Sequence, residues 1–258
     1  MNFTRKGSGP PLLLIHGLGG SARSFDPILG ALTPNREVVV PDLPGFGDSP
    51  PLAGEVSIAT LADSIEAFMD EHDLRGVDAA GSSMGARLVL ELARRGSVGA
   101  VVSLDPGGFW NRREQQVFGG SVALAVSLVR ALKPLLPFLT GNPVTRTLLF
   151  GQFSARPWAL DSGVALTELR SFVTAKSFDE ALHALANGPT QEGMPAGTAT
   201  KPIVIGWGRR DLVCLPRQAQ RAAKRFPDAE LYWFDKCGHF PQWDSPDEAA
   251  RLILQTTG

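Results

Sequence analysis

Six runs of branched and apolar residues, none longer than eight positions, recur along the chain and constrain its fold more than any other feature. They are 11–17 (PLLLIHG), 36–42 (REVVVPD), 76–82 (GVDAAGS), 99–106 (GAVVSLDP), 201–208 (KPIVIGWG) and 229–235 (AELYWFD), with Phe3 to Lys6 as a short edge candidate. A half-buried strand would alternate apolar with polar. These runs are nearly continuous, so each reads as a strand covered on both faces. Between them lie stretches of helical period. Leu61, Ile65, Phe68 and Met69 share one stripe, and Met84, Leu88, Val89 and Leu92 share another. Gly96 suits the left-handed position after a helix end. Near the C-terminus, Ser245 reads as a cap, Pro246 as a first-turn residue and Glu248 as the partner in a capping box. Strand and helix in steady exchange predict an α/β fold, with a mostly parallel sheet of about seven strands flanked by helices.

One stretch departs from that exchange. From Gly107 to Gly197 no strand-like run interrupts a helical, proline-punctuated segment. The chain therefore divides into a core at 1–106 and 198–258 and an inserted helical cap, or lid, at 107–197. The cap is expected over the carboxyl edge of the sheet, where ligands of open α/β sheets bind. Phe109, Trp110, Phe118, Leu135, Phe138 and Trp158 are its candidates for lining a greasy pocket, with packing of cap onto body as their plainer role. The longest apolar stretch, from Ser121, is broken by Arg130, Lys133 and two prolines, so it does not read as a membrane span.

Composition narrows the partners. A chain of 258 residues that is 43% hydrophobic can bury one large core. Its formal charge is −1 and its cations are dispersed, against a nucleic-acid or anionic-membrane surface, which needs a concentrated basic face. The pairs Arg94-Arg95 and Arg209-Arg210 read as solvated. At the N-terminus the apolar run Leu12 to Ile15 is too short for a secretory signal core. Cys214 and Cys237 make no disulfide framework, so the expected setting is cytoplasmic with both thiols reduced. No zinc-type spacing and no dinucleotide or phosphate-loop glycine pattern occurs, so no cofactor is expected.

Chemistry is concentrated in 78–89, DAAGSSMGARLV. A G-x-S-x-G match alone is weak, since about one chain in five of this composition holds one by chance. Here it falls where a buried strand must reverse into a helix. Gly81 and Gly85 flank Ser83, whereas Ser82 has Ala80 two positions earlier and does not fit. Such a turn strains the nucleophile's backbone and lifts its hydroxyl above the sheet at a helix N-terminus. Ser83 is thus the candidate nucleophile, and Ser82 is expected to pack locally. A serine also needs a base oriented by a carboxylate. Of the four histidines, His72 reads as solvent-facing in a charged helix end, His183 as a surface or packing residue, and His16 as part of loop architecture. His239 follows the last strand in a loop made supple by Gly238 and arrives where a base is needed. Asp211 lies just past the strand ending near Trp207, and Asp105 ends a neighbouring strand as runner-up.

With those residues in order, the chain resembles the α/β-hydrolase superfamily from Gly7 onward. The family's oxyanion loop is matched by His16-Gly17-Leu18-Gly19, its D-x-x-G-x-G-x-S loop by Asp42 to Ser49, and its elbow by Gly81 to Gly85. Its acid turn is matched by Gly208 to Asp211 and its histidine turn by Gly238 to Pro241. The resemblance implies Ser83 as nucleophile, His239 as base and then acid, and Asp211 as its orienter. It also implies the N–H groups of Leu18 and Met84 as oxyanion hole, and Asp42 and Ser49 as loop-holding residues. The N-terminus is short for the family, so one strand is expected to be missing and the next truncated. Ala86 and Arg87 stand where many relatives have glycine and an apolar residue. Arg87 is expected to face solvent, with a substrate contact as the alternative, and Cys214 and Cys237 could approach one another as a redox-sensitive pair.

The implied activity is a cofactor-independent serine hydrolase acting on an ester, thioester or lactone of a hydrophobic small molecule. Alternatives within the resemblance are a carbon–carbon bond hydrolase of the meta-cleavage type and a cofactor-free haloperoxidase. Dehalogenases and epoxide hydrolases are disfavoured because their nucleophile is an aspartate. Outside catalysis stands a ligand-binding protein that keeps the fold without turnover.

Overall fold

A computed structural model describes all residues from Met1 to Gly258. Each predicted run forms a strand: β1 (Phe3–Lys6), β2 (Pro11–Ile15), β3 (Glu37–Pro41), β4 (Asp78–Ser82), β5 (Val101–Leu104), β6 (Ile203–Gly208) and β7 (Glu230–Phe234). They assemble into one seven-stranded sheet of order β1-β3-β2-β4-β5-β6-β7. All neighbours run parallel except β1, which pairs antiparallel with β3 at the edge. Successive side chains of one strand enter opposite cores. Leu13, Ile15 and Val39 join one apolar cluster, while Leu12, Leu14, Val38 and Val40 join the other. That double burial is why these strands carry no polar alternation.

The helices cover both faces. α1 (Asp26–Leu32) and α11 (Pro246–Thr257) pack together on one side, and α2 (Ile58–Glu71) packs on α3 (Met84–Arg94). Gly96, at φ +73°, takes the left-handed position beyond α3. Between β5 and β6 the chain makes α4 (Arg112–Ala131), α5 (Leu136–Gly141), α6 (Pro143–Phe150), α7 (Ser162–Thr174) and α8 (Phe178–Asn187), without a strand. The remaining helices are α9 (Ala219–Arg225) and α10 (Pro241–Asp244). No single helix is long and apolar enough to cross a membrane.

Three local expectations fail, each because a distant partner intervenes. Ser245 caps α11 by position only: its side chain makes no capping bond, and Glu248 instead accepts from the Tyr232 hydroxyl at 2.9 Å. His72 is half-buried rather than solvent-facing, packed on the rings of Phe3 and Phe68. Arg87 is 2% exposed, because the segment after α8 folds back over α3. Its Nε donates to Gln191 Oε1 at 3.2 Å and its Nη2 to the Pro189 carbonyl at 2.7 Å. Burial pulls its pKa down to about 10. Arg94 and Arg95, by contrast, sit in ion pairs with Glu91, Glu66 and Asp63.

Helix α7 meets the core through a buried acid. Glu168 is 3% exposed and accepts from Ser24 Oγ at 3.2 Å. Burial pushes its pKa from 4.5 up to about 8, so the folded chain holds it protonated at neutral pH. An unfolded chain ionises the same group near 4.5, so folded stability falls as pH rises from there towards about 8, and this group contributes nothing below that window. Glu168→Gln removes the loss. The variant should be the more stable by on the order of 3 kcal/mol at neutral pH, and close to wild type in acid. Denaturant midpoints of both proteins at acidic, neutral and mildly alkaline pH measure this. A constant difference across that range would refute it.

Candidate active site

The carboxyl ends of β4, β6 and β7 share one edge of the sheet, since all three strands are parallel to β5 or to each other. Ser83 follows β4 directly, Asp211 lies three residues past β6, and His239 lies five past β7. The turn at Ser83 is strained: φ is +57° and ψ −113°, a region that side chains rarely adopt. Gly81 and Gly85 permit it. A Cβ at Gly81 would strike the Gly85 carbonyl, and one at Gly85 would strike the Ile15 carbonyl of β2. The Ser83 amide donates to the Leu104 carbonyl at 2.9 Å, pinning the turn to the neighbouring strand.

Three side chains far apart in sequence meet there. His239 Nε2 lies 2.8 Å from Ser83 Oγ, and His239 Nδ1 lies 2.8 Å from Asp211 Oδ2. The other carboxylate oxygen, Asp211 Oδ1, accepts from the amides of Val213 at 2.7 Å and Cys214 at 2.9 Å. Histidine and aspartate are each 1% exposed, while the serine is half-buried and faces the pocket. The arrangement can move a proton from hydroxyl to imidazole while the carboxylate fixes the ring's tautomer.

Asp105 is placed differently. Its Oδ1 accepts from the Gly208 amide at 2.8 Å, and its Oδ2 has no partner. Burial first, then the negative charge of Asp211, pushes its carboxyl well above the usual range. His239 makes its side-chain hydrogen bonds to Asp211 and Ser83, and Asp105 does not reach it.

Loop residues take the supporting positions. His16 is fully buried, its Nδ1 facing the Gly17 carbonyl at 2.8 Å while its Nε2 accepts from the Leu43 amide at 3.0 Å. Burial lowers its pKa, so the ring is neutral and holds two loops together. Asp42 accepts from the Ala22 and Asp48 amides, and the Ser49 hydroxyl donates to the Asp42 carbonyl. Gly17 approaches the serine so closely that a Cβ there would lie 3.1 Å from Ser83 Cβ. Leu18 lines the same pocket and its amide donates to no group in the protein. The Met84 amide is the first of α3 and so has no acceptor within the helix. Ser82 is buried and accepts from Gln242 Nε2 at 3.0 Å, a local role. His183 is exposed on α8.

One supporting acid is invisible in the sequence. Asp244 Oδ2 accepts from the Gly238 amide at 2.7 Å and the Ala155 amide at 2.8 Å. The His239 amide in turn donates to the Phe153 carbonyl at 2.9 Å. The loop carrying His239 is thus stapled to the segment after α6, and Gly238 is pinned against that segment rather than supple. No local pattern marks Asp244, because the Ala155 amide that it ties to the loop lies 89 positions away.

The pocket over Ser83 is small and apolar. Leu18, Phe118, Val122, Phe153, Phe172 and Phe240 form most of its wall, and its cavity volume is about 20 Å³. A larger cleft of about 490 Å³ opens beside it, between the start of α4 and residues 212–221, and shares Phe118 and Val213. Ser83 and His239 line the smaller one. Of the six cap residues expected to line a pocket, Phe118 does so. Phe109 and Trp110 are buried in the core, and Leu135, Phe138 and Trp158 are exposed.

Asp211, Cys214 and His239 bring potential metal-ligating atoms within 4.8 Å of one another. Both carboxylate oxygens are already engaged, and burial pushes the Cys214 thiol well above its usual range, so the donor set suits proton transfer better than a cation. Cys214 and Cys237 are both free and buried, and Cys237 is pushed up to about 12 by desolvation. Neither has the thiolate character that redox sensing requires.

Comparison with known proteins agrees with this fold. A family model described as alpha/beta hydrolase fold matches residues 10–246. The chain is 26% identical to the dihydrolipoyllysine-residue acetyltransferase component of the acetoin cleaving system of Pseudomonas putida, over 95% of this chain and 63% of that protein's length. It is 28% identical to the 2-hydroxymuconate semialdehyde hydrolase of Pseudomonas putida, over 98% of this chain and 88% of the other. Among solved structures, a thermophilic esterase from Thermogutta terrifontis superposes with a TM-score of 0.77 at 19% identity, covering 98% of this chain and 91% of that one. The family's model runs through nearly the whole sheet and the helices that flank it, from residue 10 to residue 246, and the chain belongs to the alpha/beta hydrolase fold family.

Proposed function

We propose that the chain is a cofactor-independent serine hydrolase that cleaves an ester, thioester or lactone of a hydrophobic small molecule through an acyl-enzyme. One observation carries the reading: an unbroken hydrogen-bonded series, Asp211 to His239 to Ser83, with both imidazole contacts at 2.8 Å, opening into an apolar pocket. Ser83 attacks the carbonyl carbon as His239 takes its proton. The oxyanion is met by the amides of Leu18 and Met84, each such donor lowering the barrier by about 3 kcal/mol. His239 returns the proton to the leaving group, and water then repeats the sequence to release the acid.

The similarity to 2-hydroxymuconate semialdehyde hydrolase supports a second reading, hydrolysis of a carbon–carbon bond. That relative's named substrate carries a carboxylate. The walls of the pocket over Ser83 hold no arginine or lysine, which suits an uncharged acyl group there, while the cleft beside it carries Arg113, Arg217 and Arg221.

A fluorophosphonate probe tests the proposal. Ser83 should be labelled stoichiometrically, and p-nitrophenyl esters of graded chain length should be turned over, the medium chains best. Absence of labelling in a folded protein would favour a ligand-binding role. Turnover of a dienoic ring-fission product in preference to every ester would favour the second reading.

A further inference from the structure

The cleft of about 490 Å³ beside the serine pocket is lined by three arginines and one acid. Glu114 on α4 is 7% exposed, and both its oxygens are engaged within the protein. Oε1 accepts from Arg217 Nε at 2.6 Å, while Oε2 accepts from the Asn111 amide at 2.8 Å and from Arg221 Nη2. Arg221 Nε donates to the Phe109 carbonyl at 2.5 Å. Both Nη groups of Arg217 and the Nη1 of Arg221 are left without a protein partner. Arg113 is exposed and forms no ion pair. Three guanidiniums against one carboxylate leave the cleft two positive charges in excess. Arg217 and Arg221 lie 103 and 107 positions from Glu114, so the sequence shows no basic cluster.

Gln218 points to an occupant independently of charge. It lines the same cleft, is 1% exposed, and its side-chain carbonyl has no hydrogen-bond partner. A buried acceptor is destabilising while unpaired, and an N–H or O–H of a ligand would satisfy it. Phe118 and Val213 line both this cleft and the pocket over Ser83, so they form the wall the two cavities share. The serine pocket carries no cation, which leaves it the apolar part of a substrate and gives the charged part to the cleft. A phosphate monoester carries about −1.5 to −2 charges at neutral pH, and guanidinium N–H groups suit its oxygens. A single carboxylate would leave one positive charge unanswered.

We propose that the cleft holds the leaving group of the substrate, an alcohol or thiol with an N–H or O–H donor for Gln218 and, beyond it, a phosphate for Arg113, Arg217 and Arg221. The carbonyl reaches Ser83 past Phe118 and Val213. Ser83 Oγ bonds to the acyl carbon as the bond to the leaving oxygen or sulfur breaks, and His239 passes the serine proton to that atom. Water then releases the acid and restores Ser83. The chemical step rests on the hydrolase reading above; binding in the cleft does not.

The acetyl thioesters of pantetheine and of phosphopantetheine differ only in a phosphate, and both carry amide N–H groups. The phosphorylated one should show a kcat/KM higher by about tenfold or more, chiefly through KM, and the gap should narrow with added salt. Arg113→Glu, on an exposed side chain with no ion pair to lose, should shrink that preference to about twofold. Gln218→Met keeps the side chain's shape and removes the unpaired carbonyl. It should unfold at a higher denaturant concentration than wild type, yet lower kcat/KM for S-acetylpantetheine relative to S-ethyl thioacetate by about fivefold. An unchanged ratio in that variant would remove Gln218 from the site. Equal kcat/KM for the two pantetheine thioesters would overturn the phosphate, and so would an equal gain from a hemisuccinate in the phosphate's place. Calorimetric titration with phosphopantetheine, which holds no thioester, separates binding from turnover. If it binds more tightly than pantetheine while Ser83 never labels with a fluorophosphonate, the cleft's role stands and the hydrolase reading falls. If p-nitrophenyl esters are turned over and the two thiols bind alike, the hydrolase reading stands and the cleft's role falls.

Discussion

Ser83→Ala is expected to lower kcat for a p-nitrophenyl ester by at least about a thousandfold with its fold intact. The hydroxyl is the only nucleophile that His239 Nε2 touches, and alanine offers nothing in its place. What survives should be the modest acceleration that oxyanion donors and binding supply without a nucleophile. Ser83→Gly is the informative companion. The native φ of +57° is unfavourable for any side chain, so glycine should be equally inactive yet more stable by about 1 kcal/mol. Steady-state kinetics and denaturant midpoints on the same preparations read both quantities. A variant retaining a tenth of wild-type kcat would remove Ser83 from the mechanism.

The second large effect separates two aspartates. Asp211→Asn should reduce kcat by about a thousandfold to ten-thousandfold, through the tautomer of His239. Asp211 Oδ1 accepts from two amides, so an asparagine there keeps its carbonyl on those donors and turns its NH₂ towards the imidazole. His239 Nδ1 must then accept, which puts the proton on Nε2, where it can no longer take one from Ser83. Asp105→Asn replaces a carboxyl whose ionisation burial opposes and that does not reach His239, so it should cost less than about tenfold. Measuring kcat for both variants on one ester decides the matter. A larger loss at Asp105 would transfer the orienting role to it.

Much of this was legible before any tertiary contact was known. The apolar runs at 11–17 and 201–208 mark buried strands because both faces of each must be dry. The glycines at 81 and 85 mark the turn because a Cβ at either position meets backbone. Asp211 could be preferred to Asp105 but not separated from it, as both end parallel strands at one edge. The separation came from how a loop bends: Asp211 turns its carboxylate to the imidazole, and Asp105 turns to the Gly208 amide.

The residues that misled share one trait. Arg87 carries a charge that normally marks solvent, yet residues 189–191, about a hundred positions later, close over it. Leu135, Phe138 and Trp158 carry the apolar bulk that normally marks an interior, yet they stand exposed. Asp244 holds the His239 loop against residues 154–155 with no local sign of doing so.

By itself, then, the sequence determined the strands, the serine turn and the order in which nucleophile, acid and base arrive, because each depends on backbone sterics and burial within a few residues. Tertiary structure alone decided which carboxylate meets the imidazole, what closes over Ser83 and which apolar face is left uncovered. Those depend on segments 28 to 156 residues apart coming within a hydrogen bond's length, and spacing along the chain carries no record of that.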